Sequence, residues 1–323
     1  MTARRALIGL AAVLLAALPL WVPGNYDISV GSEILIYAIF ALSVDLLIGF
    51  AGLVSLGHAG LFSLAGYTLA VCLGAGFGQP AAIALALAVA LAGTAVFAAL
   101  SLRTTGVGFI MITLALGQIM WGLAYRWVGL TGGDNGISVS ARPAPFGISL
   151  AVPSHFYEAT LIVFAGAVFA YRVFVESPFG ASLRGTRDQP RRMTALGYNV
   201  WMIRFSAFMV SGLLAAIAGI LFVFRAEFIS PPTAALTASA EPVLMAISGG
   251  SGTILGPIVG AALVELVKNI ASAYITRWNM LLGGTFVVIV MFMPEGLVPG
   301  TMRLLRGRFG ARSAAPAERR LPP

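Results

Sequence analysis

Two ionisable side chains stand in apolar stretches of this sequence, where a charged group is costly. Asp45 lies inside the run Val44–Phe50, so its carboxylate must be protonated, paired or close to the cytoplasmic water. His58 lies in Ser55–Gly60, and an ionisable group at such a place is by default a functional hypothesis. A neutral imidazole flanked by glycines can also donate to a backbone carbonyl and fix a broken helix, and this structural role is favoured for His58.

The other polar residues form no catalytic or metal-binding pattern. Thr113 and Gln118 do not share a helix face and predict separate hydrogen bonds between helices. No Cys/His spacing is typical of a metal site, and no glycine-rich phosphate loop ends in Gly-Lys-Ser or Gly-Lys-Thr. The single cysteine, Cys72, predicts a small packing residue. We therefore expect no catalysis, cofactor or metal in this chain, and any nucleotide must be bound by another chain.

Two glycine-rich stretches interrupt the apolar pattern at corresponding places in the two halves of the chain. They run from Gly49 to Gly60 and from Ala246 to Pro257, and each precedes a run rich in small residues. Paired interruptions of this kind indicate an internal repeat whose broken helices line a transport route. Close helix packing through small residues is the alternative use of such glycines, and both uses can coexist.

The composition places the elements that carry these residues in a membrane. Of the 323 residues, 59% are apolar and only 10% charged, which is far from the average of soluble domains. A hydrocarbon core about 30 Å thick needs about 20 helical residues per crossing. We therefore predict an all-α, polytopic membrane protein with about ten segments, some of them short or broken. The segments are 6–22, 34–50, 60–76, 81–101, 107–129, 158–175, 204–224, 238–250, 252–271 and 278–294.

The basic residues orient these segments. With both termini inside, fifteen of the twenty fall on the inner side, most of them near Arg4, in 172–204 and in the tail 301–323. The tail is expected to be a basic, disordered segment. An uncleaved first segment is favoured over a secretory signal, because residues 16–21 offer no small-x-small cleavage site. The charged residues that fall outside are Arg126, Arg142, Arg225, Lys268, Arg277, Asp27, Glu33, Asp134 and Glu158.

One sizeable polar segment, 176–203, lies on the inner side. Pro178 ends the preceding span, and short helices are predicted around Ala181–Arg187 and Arg191–Leu196. Such a basic helix-turn-helix can be an orientation signal or a docking element for a cytoplasmic partner, and its mixed apolar and charged residues favour docking. The chain is thus predicted to be a single transmembrane domain, 1–323, that contains this loop.

Several motifs recur in an order that resembles a known family. They are Ser55–Gly60, Thr113–Gln118, Thr131–Gly136, Ser177–Gly180, Ala195–Gly197, Gly249–Pro257 and Pro294–Leu297. Together they resemble the M-type permease subunit of branched-chain amino acid ABC importers over about residues 30–300. In the loop, Thr194–Gly197 departs from the Glu-Ala-Ala consensus of other importer permeases.

The resemblance implies a permease that forms half of a translocation path in the bacterial inner membrane. Its partners would be a second homologous permease, two cytoplasmic ATPases that bind the ATP, and a periplasmic solute-binding protein. The residues implied in coupling to an ATPase are Phe179, Gly180, Leu183, Arg184, Arg187, Asp188, Met193, Ala195, Leu196 and Gly197. The residues implied in the translocation path are Ser55, Gly57, His58, Thr113, Gln118, Gly249, Gly250 and Gly252.

The sequence leaves two other function classes as alternatives. An ion-coupled secondary transporter with broken helices needs intramembrane acids, and Asp45 is the only good candidate in the sequence. A membrane enzyme is a weaker reading because no polar catalytic cluster is present. Leu, Ile and Val are the default solutes from the resemblance, while relatives that carry other amino acids, urea, amides or aromatic acids leave the solute open.

Overall fold

The computed structural model describes residues 24–139, 150–274, 278–293, 296–301 and 303. The predicted segment 6–22 and almost all of the tail 301–323 lie outside the described residues. The α-helices are α1 (Asn25–Asp45), α2 (His58–Gly74), α3 (Gln79–Ser101), α4 (Val107–Arg126), α5 (Val128–Thr131), α6 (Pro153–Glu176), α7 (Pro178–Asp188), α8 (Pro190–Ala195), α9 (Val200–Ala226), α10 (Leu236–Gly249), α11 (Leu255–Tyr274) and α12 (Trp278–Phe292).

Every predicted segment from 34–50 to 278–294 corresponds to one of these helices. By length and composition, six helical stretches of the described residues can cross a membrane, and α2 is a shorter apolar helix. The chain is therefore a helical, multi-pass membrane protein. The six stretches are Asn25–Ala51, Gln79–Ser101, Val107–Arg126, Pro153–Glu176, Val200–Ala226 and Leu255–Ser272.

The central helix is α1, which packs against α6, α9, α10 and α11. Its side chains are buried on all sides from Leu35 onward, apart from the partly exposed Tyr37. A helix that is apolar all round must be surrounded by other helices, and α1 meets this requirement. By contrast, α3 buries a single stripe of mostly small residues, and its other faces are exposed apolar surface suited to lipid. The stripe is Ala82, Ala86, Ala90, Thr94, Phe97, Ala98 and Ser101.

The predicted loop helices are present as α7 and α8. Ser177 caps α7 by accepting a hydrogen bond from Gly180 N (3.2 Å), and Pro178 occupies the start of that helix, where its missing N–H is harmless. Pro190 starts α8 in the same way. Asn199 then caps α9 by accepting from Met202 N (3.1 Å). These caps fix where the loop leaves and rejoins the long helices.

A short antiparallel sheet lies beyond the ends of α4 and α9, away from α7 and α8. Strand β1 (Ile137–Ser138) pairs with β2 (Phe228–Ile229), and Val139 N donates to Glu227 O (2.8 Å). Two turns of 3-10 helix flank the strands, Gly133–Asn135 and Pro231–Ala234. The sheet ties the segment after α4 to the segment after α9.

Candidate functional site

The first glycine-rich stretch is where the central helix breaks. Helix α1 continues as a π-helix over Leu46–Ala51, and the chain turns at Gly52, which has a φ of 69°. The next residues are not helical, and α2 begins at His58. A neighbouring helix bonds part of the freed backbone, because Leu56 N donates to Thr113 Oγ1 of α4 (3.2 Å). Thr113 thus has a defined role at the break.

Small residues let α4 approach this break closely. A Cβ added to Gly57 would overlap the carbonyl oxygen of Thr113, and a Cβ on Gly117 would lie 3.2 Å from Gly57 Cα. Gln118, the other polar residue predicted in the path, is half-buried on the same helix. Gly57 therefore serves backbone-to-backbone packing, the alternative use of glycine that the sequence left open.

His58 is fully buried and lies in a chain of polar contacts. Its Nδ1 is 2.8 Å from Ser55 Oγ and its Nε2 is 2.7 Å from Ser211 Oγ. Ser211 Oγ in turn donates to the carbonyl oxygen of Ser43 (2.5 Å). Since the Ser211 proton points at Ser43, Ser211 accepts from Nε2–H. The imidazole thus links α1, α2 and α9.

The second glycine-rich stretch separates α10 from α11. Helix α10 ends at Gly249, and Gly250 and Gly252 follow with φ of 115° and 78°. Thr253 Oγ1 donates to Gly250 O (2.9 Å) and accepts from Gly256 N (3.0 Å), which closes the turn and starts α11. A Cβ on Gly249 would overlap the carbonyl oxygen of Gly256. Here the glycines are needed both for backbone conformation and for close approach.

The two glycine-rich stretches meet at Asp45. One carboxylate oxygen accepts from the Tyr171 hydroxyl of α6 (2.7 Å), and the other accepts from Gly252 N (2.8 Å). A Cβ on Gly49 would overlap the backbone of Gly252, so the two stretches touch without side chains between them. Asp45 itself is fully buried. We name this junction of Asp45, Gly49, Tyr171 and Gly252 the break junction.

The loop 176–203 rests on the break junction. Arg187 of α7 donates through its guanidinium to the carbonyl oxygen of Gly49. Arg184 donates to Val175 O at the end of α6 (3.2 Å) and lies 5.9 Å from the centre of the Phe50 ring. Two of the three charges expected to pair with a partner are therefore turned toward the chain's own helices.

The surface of the loop differs from the predicted apolar patch. Leu183 is fully buried and Gly180 is buried against Val175, because α7 packs onto the ends of α6 and α9. Both residues are thus used in packing within the chain, and their implied role in coupling to an ATPase stays a prediction. Phe179 and Met193 are half-buried. The exposed members of the predicted set are Arg184, Arg187, Asp188, Ala195, Leu196 and Gly197.

The predicted path residues form two groups, one at each break. Ser55, Gly57, His58 and Thr113 pack together at the first break, and Gly249, Gly250 and Gly252 form the second. All but Gly252 and Gln118 are buried within this chain. The groups are linked through the contact between Gly49 and Gly252.

Sequence reasoning missed a cluster of charges between α1, α9, α10 and α11. We name it the ionic cluster, and its members are Glu33, Arg225, Glu241, Glu265 and Lys268. Arg225 and Glu33 are joined at 2.7 Å, and Lys268 Nζ lies 3.9 Å from Glu241 and 3.6 Å from Glu265. The sequence contained an indication of this cluster, because an acid and a base, Glu265 and Lys268, stand three residues apart inside the predicted segment 252–271.

The ionic cluster corrects two sequence-based predictions. Glu33 and Arg225 were expected in outer loops, yet they lie in α1 and α9, because these helices extend beyond their most apolar stretches. Glu158 likewise lies in α6. Asp45 is also not the only acid within the helical bundle, since Glu265 is fully buried.

Sequence similarity identifies the family. Residues 28–291 match the family described as branched-chain amino acid transport system / permease component. The chain is 27% identical over 326 residues to the high-affinity branched-chain amino acid transport system permease protein LivM of Escherichia coli K12, covering 93% of this chain and 76% of LivM. LivM of Salmonella typhimurium LT2 is 26% identical over 313 residues, which are 89% of this chain and 73% of that protein.

A permease named for another solute is also similar. The autoinducer 2 import system permease protein LsrC of Yersinia enterocolitica is 28% identical over 266 residues, covering 78% of this chain and 72% of LsrC. No solved structure matches the chain. A multi-pass helical chain with two glycine-rich breaks, matched over residues 28–291, belongs to the permease family of branched-chain amino acid ABC importers.

Proposed function

We propose that this chain is one of two permease subunits of an ABC importer in a bacterial inner membrane. It would form half of the path for a branched-chain amino acid, and a homologous permease would form the other half. Two cytoplasmic ATPases would bind and hydrolyse the ATP, and a periplasmic protein would deliver the solute. The observation that carries the proposal is the contact of the loop with the break junction through Arg187 and Gly49.

The loop 176–203 is proposed to transmit the nucleotide state of an ATPase. Leu183 anchors α7 in the core, while Ala195, Leu196 and Gly197 remain exposed for a partner. A cleft of about 520 Å³ separates Gln189 and its neighbours from the ends of the long helices and offers room beside the loop. A movement of α7 would pull on Gly49, and the contact of Gly49 with the second stretch would carry it onward.

The proposed topology has ten crossings with both termini in the cytoplasm. Six long helical stretches, the shorter α2, α10 and α12, and the run 6–22 outside the described residues together make ten. This count leaves the Arg-rich loop and the basic tail 301–323 on one side, as the positive-inside rule requires. The chain would be a single permease domain.

The translocation path is proposed to run beside the two breaks. Ser55, Gly57, His58, Thr113 and Gln118 would form its wall at the first break. Gly249, Gly250 and Gly252 would form its wall at the second. Because most of these residues are packed within this chain, they would reach the solute only when the breaks rearrange or through their backbone.

Branched-chain amino acids are the proposed solutes because the LivM relatives match more of this chain than LsrC of Yersinia enterocolitica does, 93% and 89% against 78%. The ion-coupled alternative is not favoured. It leaves the loop without a task, although the loop is held to the break junction by Arg187.

The test is a reconstituted complex of this chain with its neighbouring subunits. An ATPase should co-purify, and leucine with its binding protein should stimulate ATP hydrolysis. Leu196→Glu puts a charge on a side chain that is 68% exposed in the loop and should lower stimulated hydrolysis about tenfold, since a central interface contact contributes about 1–3 kcal/mol. Asn135→Glu, in an exposed turn beyond α4, is the matched control. Full stimulation in Leu196→Glu would refute the coupling role.

A further inference from the structure

The ionic cluster has a closed part and an open part. In the closed part, Arg225 Nη2 lies 2.7 Å from Glu33, and Arg225 Nε also donates to Ser29 O (3.1 Å). In the open part, Lys268 Nζ is 3.9 Å from Glu241 and 3.6 Å from Glu265, and both distances exceed those of a charged hydrogen bond. The ion-pair distances of the open part are thus longer than that of the closed part.

Glu265 is the least satisfied group of the open part. Its side chain is 0% exposed, and neither carboxylate oxygen has a hydrogen-bond partner among the described residues. A buried carboxylate that accepts no hydrogen bond is costly to keep in a fold. The carboxylate faces the Lys268 ammonium, so it is directed into the cluster. This acceptor is open to a donor that the described residues do not supply.

Charge identifies the kind of donor. The two carboxylates of Glu241 and Glu265 and the single ammonium of Lys268 sum to one formal negative charge. A monocation that carries N–H donors would balance this charge and supply the missing hydrogen bonds. The face of the Tyr37 ring lies 5.0 Å from Lys268 Nζ, so an ammonium group already occupies this environment. The open part therefore suits a second ammonium group.

The cluster is reachable from outside the chain. The side chains of Glu241 and Lys268 are 20% and 24% exposed, and Glu265 lies beneath them. Glu33 precedes Asp45 by twelve residues of α1, or about 18 Å along the helix axis, which puts the cluster toward the end away from the loop. In the proposed topology this is the periplasmic half, where an importer receives its solute.

We propose that Glu241 and Glu265 bind the α-ammonium group of the transported amino acid. Lys268 moves aside and pairs with the α-carboxylate of the same molecule. This inference rests on the proposed function, and it assigns the solute to the zwitterionic amino acids. A solute without an ammonium group gains nothing from these carboxylates.

The test separates a ligand site from a structural ion pair. Leucine uptake is measured in vesicles that hold the whole complex with wild-type chain, Glu265→Gln, Lys268→Met or both substitutions. Each rate is divided by the amount of assembled complex. Glu158→Gln is the control, because it removes an exposed acid of α6 that lies outside the loop 176–203. The same test is repeated on the partly exposed Glu241, with the variants Glu241→Gln and Glu241→Gln/Lys268→Met. The inference can then be tested even if a Glu265 variant does not fold.

We expect Glu265→Gln to lower uptake at least about tenfold, and the double variant to stay within about twofold of it. The double variant keeps the net charge of the open part but has only one of the two carboxylates that bind the ammonium group. If the pair is purely structural, leucine uptake should recover in the double variant, because a buried pair replaced by neutral groups is often tolerated. Recovery, or normal uptake in Glu265→Gln, overturns the inference and leaves the proposed function standing. A wild-type complex that takes up no leucine overturns the proposed solute and this inference with it.

Discussion

The break junction and the open part of the ionic cluster hold buried carboxylates in opposite states. Both oxygens of Asp45 accept hydrogen bonds, at 2.7 Å and 2.8 Å. Neither oxygen of Glu265 accepts one from the described residues, and its cation lies at 3.6 Å. A buried carboxylate with both oxygens bonded, such as Asp45, stabilises one packing arrangement. One with unbonded oxygens, such as Glu265, can bind a further donor. The difference lies in the number of bonds and not in the burial.

The largest effect should come from adding one carbon to the break junction. A Cβ on Gly49 would overlap backbone atoms of Gly252, which cannot move without shifting the second break. We expect Gly49→Ala to cost about 3 kcal/mol or more in stability and to abolish uptake. Gly122→Ala on α4 is the control, since its Cβ meets nothing within 4 Å. Stability is measured by thermal unfolding of the complex in detergent, and transport is measured by leucine uptake. If Gly49→Ala and Gly122→Ala have the same stability and uptake, the close contact at the break junction is not required.

Removal of the Asp45 carboxylate should have the next largest effect. Asp45→Ala leaves the Tyr171 hydroxyl and Gly252 N without their acceptor in a buried place, at a cost of about 3 kcal/mol in the free energy of unfolding. Asp45→Asn should cost far less, because an amide keeps an acceptor for Gly252 and its NH₂ can donate to Tyr171. Denaturant unfolding compares the two. A similar loss in both variants would show that the charge itself, and not its hydrogen bonds, holds the junction.

The closed pair of the ionic cluster should behave as a structural pair. Glu33→Gln leaves Arg225 without its carboxylate where the two side chains are 16% and 22% exposed, so we expect a loss of about 1–2 kcal/mol in stability. Adding Arg225→Met should recover part of that lost stability. In the open part, by contrast, the second substitution is expected to recover no leucine uptake. The unfolding midpoints of the single and double variants measure this recovery. A double variant less stable than Glu33→Gln would contradict the structural role of the closed pair.

The smallest effect is expected at the surface pair of α6. Arg172 and Glu176 are 3.0 Å apart with side chains 51% and 58% exposed. Exposed pairs contribute about 0–1 kcal/mol and are screened by salt. Glu176→Gln should therefore change stability by less than about 0.5 kcal/mol, and raising the ionic strength should reduce even that. A larger change in the unfolding midpoint would mean that the strength of an ion pair in this chain depends on the distance between its atoms and not on its solvent exposure.

Sequence alone predicted the helices and both breaks because their signals are local. Apolar runs of membrane-spanning length give the helices, and glycine runs at Gly49–Gly60 and Ala246–Pro257 give the interruptions. It could not predict that the two runs meet, since the bond between Asp45 and Gly252 joins residues 207 positions apart. No local pattern records such a pairing.

The charges were misplaced for a related physical reason. A hydropathy window ends a predicted segment where charged residues begin, so Glu33 and Arg225 were placed in loops. In the folded chain they neutralise each other across α1 and α9, which lets both helices extend. The loop surface was misjudged in the same way, because the burial of Leu183 depends on the helices to which α7 returns.

The bond between Asp45 and Gly252 also constrains the order in which the protein is made. Because 207 residues separate the partners, α1 must enter the membrane during synthesis with an acid that has no amide to bind. A polar side chain is costly to insert, and the apolar remainder of α1 has to outweigh that cost until Gly252 is made.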